Sequence, residues 1–470
     1  MPNSKRTVVV NIVGLCENLI GKHTPFLSEL LKENSLTYIK PVIPAVTTTA
    51  QTTYLTGKYP EEHGIVANGW YFEEEAEVKL WRQSNRLVKG EKIWEKARSI
   101  NPSFTCANLF WWYNMYSSVD YSVTPRPMYP SDGRKIPDIY THPLELRDEL
   151  QAKLGQFPLF KFWGPATSIE VSQWIGKSAK YVEETYAPDL SLIYIPHLDY
   201  NCQRHGPDHP SVEKDLREVD SLIRDLYTYF SQKEANILIL SEYGITPVSK
   251  AVHINRILRK EGLIRYRMEL GREMFDAGAS EAFAMADHQI AHVYIKDKNR
   301  IPELNALFEQ TEGIAHVLDE SGQEEWKLKH ERSGDLVLLA DEDAWFTYYY
   351  WLEDDKAPDY ARTVDIHQKP GYDPVEMFLD PDLWAPKLKI IWTLILRKLG
   401  FRKLMEVIPL DASLIKGSHG HLPKSKKDWP VLIQAGEKDR QEDFIEAPQV
   451  FEEIFASLNL ATKEKPELPK

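Results

Sequence analysis

Six short apolar runs recur along the chain, at residues 7–13, 190–196, 236–240, 290–295, 335–339 and 430–434. Their length and β-branched content predict strands, and helical patterns fill several of the intervals between them. Strands alternating with helices predict an α/β architecture with a mostly parallel sheet covered on both faces. In such sheets ligands bind beyond the carboxyl ends of the strands. One helical segment has an unusual start: a run of hydroxyls, Thr47-Thr48-Thr49, ahead of a Thr56-Gly57 stop.

Between about residues 71 and 185 the pattern turns aromatic, with Trp81, Trp94, Trp111, Trp112, Trp163 and Trp174, and the prolines Pro125, Pro127, Pro130 and Pro137. A second aromatic segment, Trp345-Phe-Thr-Tyr-Tyr-Tyr-Trp-Leu352, follows later. Aromatic density of this kind is ordinarily core. Its functional reading is a cap shaping an apolar or ring-binding pocket. With 470 residues the chain is long for one compact core, so a single catalytic domain carrying insertions at about 71–185 and 255–415 is expected. No repeat or low-complexity tract stands out, and only the tail after about Ala461 reads as loose.

Residues 387–405 combine apolar positions with Lys387, Lys389, Arg397, Lys398, Arg402 and Lys403. The stretch is too short and too charged to span a bilayer. Two readings stand: a core-packed helix with a solvated basic edge, or a weak contact with an anionic membrane surface or a protein partner.

Composition narrows the partners. A net charge of −13 excludes a nucleic-acid polymer as the main ligand, because phosphate backbones reward basic surfaces. A small phosphorylated substrate drawn in by bound metal remains compatible. Cys16, Cys106 and Cys202 form an odd, sparse set that predicts no disulfide framework. The start, Met1-Pro-Asn-Ser-Lys-Arg-Thr7, lacks the apolar core of a signal peptide, so a cytoplasmic location is the expectation.

The most informative string runs from Pro44 to Trp70 and contains Thr47, Thr56-Gly57, Tyr59-Pro60, His63-Gly64 and Asn68-Gly69. A helix N-terminus offers unpaired N–H groups and a positive dipole end, so a hydroxyl there is placed to attack an anionic phosphorus centre. With the strand at 7–13 before it, the string resembles the type I phosphodiesterase/nucleotide pyrophosphatase branch of the alkaline phosphatase superfamily. The resemblance covers roughly residues 7–70, 190–250 and 415–436. It implies an alkaline-phosphatase-like three-layer sandwich, Thr47 as nucleophile, Asn68 as oxyanion-binding group, and one or two divalent ions, zinc being the expected metal.

The remaining landmarks of the resemblance arrive altered. In Asp199-Tyr-Asn-Cys-Gln203-Arg-His205, Asp199 matches a ligand, Gln203 stands where a His is expected, and His205 is the candidate substitute. In Ser241-Glu242-Tyr243-Gly244, Glu242 replaces an Asp and Tyr243 a His. Tyrosine is a poor ligand for zinc or magnesium. The first-strand Asp is Val13, and the nearest polar group on that strand face is Asn11, a neutral oxygen donor. The late His is assigned to His419, with His367 as a competitor beside the Gly371-Tyr-Asp-Pro374 string. Asp287-His288 offers the Asp-His pair lost at Glu242-Tyr243 but precedes a strand, which favours plain loop polarity.

The resemblance therefore implies a metal-dependent hydrolase of phosphate mono- or diesters acting through a covalent Thr47 intermediate. The departures at Val13, Gln203 and Tyr243 leave two alternatives: a one-metal enzyme rewired for phosphoryl transfer or phosphonate cleavage, and a non-catalytic binding protein on the same scaffold.

Overall fold

A computed structural model describes residues 6–435 and 444–460. The loose tail after Ala461 and the residues before Arg6 lie outside the described residues. The centre is a nine-stranded sheet in the order Phe444–Glu446, Ser35–Lys40, Val431–Gln434, Asn236–Leu240, Thr7–Ile12, Leu190–Ile195, Cys106–Leu109, Tyr121–Pro125, Ile139–His142. Its middle is parallel: Thr7–Ile12 pairs in parallel with both Leu190–Ile195 and Asn236–Leu240. The Val431–Gln434 and Ile139–His142 strands enter antiparallel. Every residue of Thr7–Ile12 and of Leu190–Ile195 is buried, which is why these segments read as continuous apolar runs without alternation.

Two groups of helices complete the layers. Pro25–Leu30, Glu170–Tyr186 and Val212–Ser231 pack together, as do Thr47–Thr56, Ile93–Ile100 and Gln449–Ser457. Val212–Ser231 turns Val212, Leu216, Val219, Ile223, Leu226 and Phe230 inward at helical spacing. Burying each such side chain contributes about 1.5–3 kcal/mol. Gly176 lets Glu170–Tyr186 approach this helix, since a Cβ there would meet Leu222 and Leu226 at 3.3 Å.

All six predicted strands form, but two belong elsewhere. Ile290–Ile295 and Leu336–Ala340 sit in a separate antiparallel sheet of four, in the order Ala282–Asp287, Ile290–Ile295, Leu336–Ala340, Ile314–Leu318. Both strands are buried on nearly all positions, so a length-and-hydrophobicity pattern cannot separate them from parallel core strands. This sheet has its own apolar core, into which the second aromatic segment is packed: Trp345, Phe346, Tyr348, Tyr349, Tyr350 and Trp351 are all buried there. The three cysteines are buried and free.

Candidate functional site

The carboxyl ends of three adjacent parallel strands deliver the polar residues. Thr7–Ile12 carries Asn11 near its end, Leu190–Ile195 leads into the helix His197–His205 with Asp199 in its first turn, and Asn236–Leu240 leads into Ser241-Glu242-Tyr243. Facing them is the start of Thr47–Thr56, whose N-cap Val46 is extended and whose C-cap Gly57 has φ +66°. Only a residue without Cβ takes that left-handed stop cheaply, and Thr56-Gly57 supplies it.

The Thr47 hydroxyl lies 3.2 Å from the Tyr243 hydroxyl and also against the Glu242 carboxyl and the Tyr194 phenol. Glu242 is fully buried. Asn11 Nδ2 and Gln51 Nε2 both donate to its Oε1, while its Oε2 has no partner. Burial pushes the carboxyl up to about 8, opposed by the hydrogen bonds from Gln51, Asn11 and Thr47. Gln51 is in turn fixed by the Trp112 backbone N–H, which donates to its Oε1 at 2.5 Å.

Around Asp199 the neighbours are equally definite. Tyr243 donates to Asp199 Oδ1 at 3.2 Å and Gln203 to Oδ2 at 2.8 Å, and Gln203 Oε1 accepts from the Tyr372 hydroxyl at 2.9 Å. His419 Nδ1 bonds the Ala45 carbonyl at 2.7 Å, so its Nε2 is left without a partner, 3.9 Å from Asp199 Oδ1. Burial and the nearby His288 push the His419 imidazole well below its usual range, so the ring is neutral. Rings follow one another from Tyr243 to His419 (stacked, 3.6 Å), His419 to His288 (tilted by 39°, 3.8 Å) and His288 to Tyr372 (stacked, 3.6 Å).

Asp287 and His288 are the finding that overturns plain loop polarity. They form the tip of the hairpin between Ala282–Asp287 and Ile290–Ile295, with His288 at φ +61°, and the next residue, Gln289, donates its N–H to the His419 carbonyl at 3.0 Å. Asp287 accepts from the Asn68 backbone N–H at 2.8 Å and from Asn68 Nδ2 at 3.2 Å, and bonds His288 Nδ1 at 2.7 Å. Asn68 Oδ1 accepts the Thr48 N–H at 3.1 Å, which ties this network to the start of the helix Thr47–Thr56. Strand order hid the pair, because the hairpin belongs to the second sheet and reaches the site from the opposite side.

Thr47, Asn68, Asp199, Glu242, His419 and Asn11 are therefore brought together, and His205 is not. Gln203, four residues after Asp199, shares its helix face, whereas His205, six residues after, points away. The His205 ring is exposed, 5.0 Å from that of His209 and 6.4 Å from that of Phe378. His367 lines the outer cleft and not the Thr47 pocket.

At the second ion position Glu242 Oε1 accepts from Asn11 Nδ2 and Gln51 Nε2, while Glu242 Oε2 and Asn11 Oδ1 are left without partners as oxygen donors for an ion. At the first position Asp199 and the orphaned His419 Nε2 remain as donors. Among the described residues the one tight group of three His/Asp/Glu ligand atoms is His197, Asp215 and Glu218, and none of the three lines the pocket over Thr47.

That pocket encloses ≈ 60 Å³ and is walled by Trp81, Trp112, Phe162, Trp163, Tyr194 and Tyr372. The tryptophans of residues 71–185 are thus divided, with Trp94, Trp111 and Trp174 in the core and the rest over the site. Trp163 is held by its indole N–H on Glu376 at 2.6 Å, and Glu376 pairs with the buried Lys369 at 2.7 Å. Beyond Trp81 opens a cleft of ≈ 790 Å³ bordered by Lys79, Arg82, Arg126, Arg134 and Lys135.

Comparison with known proteins bears on the family and the fold. The family model for type I phosphodiesterase/nucleotide pyrophosphatase matches residues 7–373. An uncharacterized pyrophosphatase/phosphodiesterase of Schizosaccharomyces pombe is 25% identical over 283 residues, covering 58% of this chain and 50% of its own, so the chain spans about half the length of that relative. Ectonucleotide pyrophosphatase/phosphodiesterase 2 of Saccharomyces cerevisiae is 24% identical over 388 residues, covering 72% of this chain and 69% of its own. Among solved structures, murine ectonucleotide pyrophosphatase/phosphodiesterase 5 superimposes with a TM-score of 0.59 at 15% identity, covering 98% of this chain and 96% of its own. Phosphonoacetate hydrolase from Sinorhizobium meliloti does so with 0.60 at 13% identity, covering 97% and 96%. The chain belongs to the type I phosphodiesterase/nucleotide pyrophosphatase family, on an alkaline-phosphatase-like fold.

Proposed function

We propose that the chain is a hydrolase of small phosphate esters in which Thr47 is the nucleophile and Glu242 takes its proton. The observation that carries this is the Thr47 hydroxyl at a helix start on the floor of an aromatic pocket, in contact with a buried carboxyl raised to about 8. In the first step the Thr47 Oγ–H proton passes to Glu242, an Oγ–P bond forms, and the bond from phosphorus to the leaving oxygen breaks. Water then cleaves the phospho-threonine. Tyr243 orients the Thr47 oxygen, and Asn68 and Asp287 hold the helix start against the pocket. A single divalent ion, held by Asp199 and His419, would neutralise charge on the phosphate oxygens. Relatives bearing pyrophosphatase/phosphodiesterase names, and an inactive murine family structure in complex with AMP, support a nucleotide-like leaving group that stacks on Trp81 or Trp163.

The test uses purified protein, with and without added zinc, magnesium or manganese, against nitrophenyl mono- and diesters, dinucleoside pyrophosphates and phosphonoacetate. Turnover that falls at least 100-fold in Thr47→Ala, with phosphate trapped on Thr47 by acid quench and mass spectrometry, is the expected result. Hydrolysis unchanged in Thr47→Ala, or none on any of these substrates, overturns the proposal.

A further inference from the structure

The helix Pro386–Lys398 is inside out. Its most buried position is Thr393, 2% exposed. The face turned to solvent carries Leu388, Ile391 and Trp392, 60%, 53% and 59% exposed, together with Ile395 and Leu399. Trp384 just ahead of the helix is 95% exposed, and Phe401 and Leu404 behind it are exposed as well. A helix that serves only a protein core turns its apolar stripe inward; Ile390 packs against the second core, but that packing leaves the exposed stripe unaccounted for, and an apolar patch of this extent marks a contact surface.

Charge identifies the partner. From Leu383 to Met405 there are six cations, Lys387, Lys389, Arg397, Lys398, Arg402 and Lys403, and no acidic residue. Among the described residues none of the six has an ion-pair partner. The whole chain, these six cations included, carries a net charge of −13, so this is a cationic island on an anionic body. A second copy of the chain would set the same six cations against one another. A bilayer with anionic headgroups supplies both missing halves, counter-charge at the level of the lysines and arginines and hydrocarbon at the level of Trp392 and Ile391.

We propose that residues 384–404 form an interfacial docking surface for anionic lipid bilayers. At 13 residues the helix extends only ~20 Å, short of the ~30 Å hydrocarbon thickness, and among the described residues no helix is long and apolar enough to cross a membrane. It lies in the headgroup plane, and the anionic remainder of the chain is repelled, which selects one orientation.

Full-length protein is floated with vesicles of phosphatidylcholine alone and of 70:30 phosphatidylcholine and phosphatidylglycerol. Flotation with the anionic vesicles, at least tenfold less with the neutral ones, and a blue shift of tryptophan emission on binding are expected. Ile391→Asp and, separately, Lys398→Glu with Lys403→Glu should each lower anionic-vesicle binding at least tenfold. Every altered side chain is exposed, so the melting temperature should not move. Protein that stays in the soluble fraction with anionic vesicles, or a concentration-dependent dimer that Ile391→Asp dissolves while lipid binding is unaffected, overturns the proposal.

Discussion

Glu242 carries the proton transfer proposed for this site. Glutamine at 242 keeps the length and the Oε1 acceptor for Asn11 and Gln51 but cannot take a proton. Glu242→Gln should lower kcat by roughly 10²–10⁴, and the wild-type rate should climb as pH rises through about 8, because the base works only when ionised. The same group carries a stability signature of defined sign. Its folded value of about 8 lies above its ordinary 4.5, so the native state keeps a proton that the unfolded chain releases. That stabilisation is complete below pH 4.5 and is lost as pH rises to about 8. Melting curves between pH 5 and 9 should therefore show wild type losing ground to Glu242→Gln by more than about 1 kcal/mol; parallel curves would refute the raised carboxyl. The sequence exposed Thr47, Asn68, Asp199 and His419, because each stands at a fixed offset within a short motif. It concealed Gln51 and Tyr372 and left Asp287 set aside as loop polarity, because what selects them is a partner more than 60 residues away.

At the scale of elements, the site is a meeting of loops whose approach depends on small residues. The strand Gly417–Ser418 pairs with Thr246–Pro247 and brings His419 beside Asp199. A Cβ on Gly417 would sit 2.1 Å from the Cys202 carbonyl oxygen, on the very helix that carries Asp199. Backbone on that helix cannot yield without moving Asp199 and Gln203. Gly417→Ala should cost about 1–3 kcal/mol of stability and also lower kcat/KM by pushing His419 away from Asp199. A melting temperature unchanged from wild type would show that the two segments are not in contact. Strands were legible here and their sheet membership was not. Residues 290–295 and 335–339 have the apolar texture of parallel core strands, yet a two-residue turn at His288-Gln289 folds the first of them back on Ala282–Asp287. Only tertiary pairing distinguishes a hairpin buried on both faces from a βαβ strand.

For the whole molecule, the question is how a chain of net charge −13 would admit the anionic substrate proposed for it. Its long-range field opposes encounter, so the approach depends on the local field of the cleft in front of Trp81. There Arg82, Arg126 and Lys135 have no ion-pair partner among the described residues, whereas Lys79 and Arg134 are engaged by Glu75 and Asp132. The three unpaired cations should therefore carry the attraction. Raising ionic strength from 0.02 to 0.5 M contracts the Debye length from roughly 20 Å to about 4 Å, which leaves chemistry inside the enclosed pocket untouched but removes guidance across the open cleft. KM for a charged ester should rise several-fold with salt while kcat holds, and Arg126→Glu with Lys135→Glu should raise KM at low salt and abolish most of its salt dependence. A kcat that falls with salt in step with the rise in KM would mean that the cations act on the reacting phosphate itself, and the cleft would then be part of the catalytic pocket and not its approach.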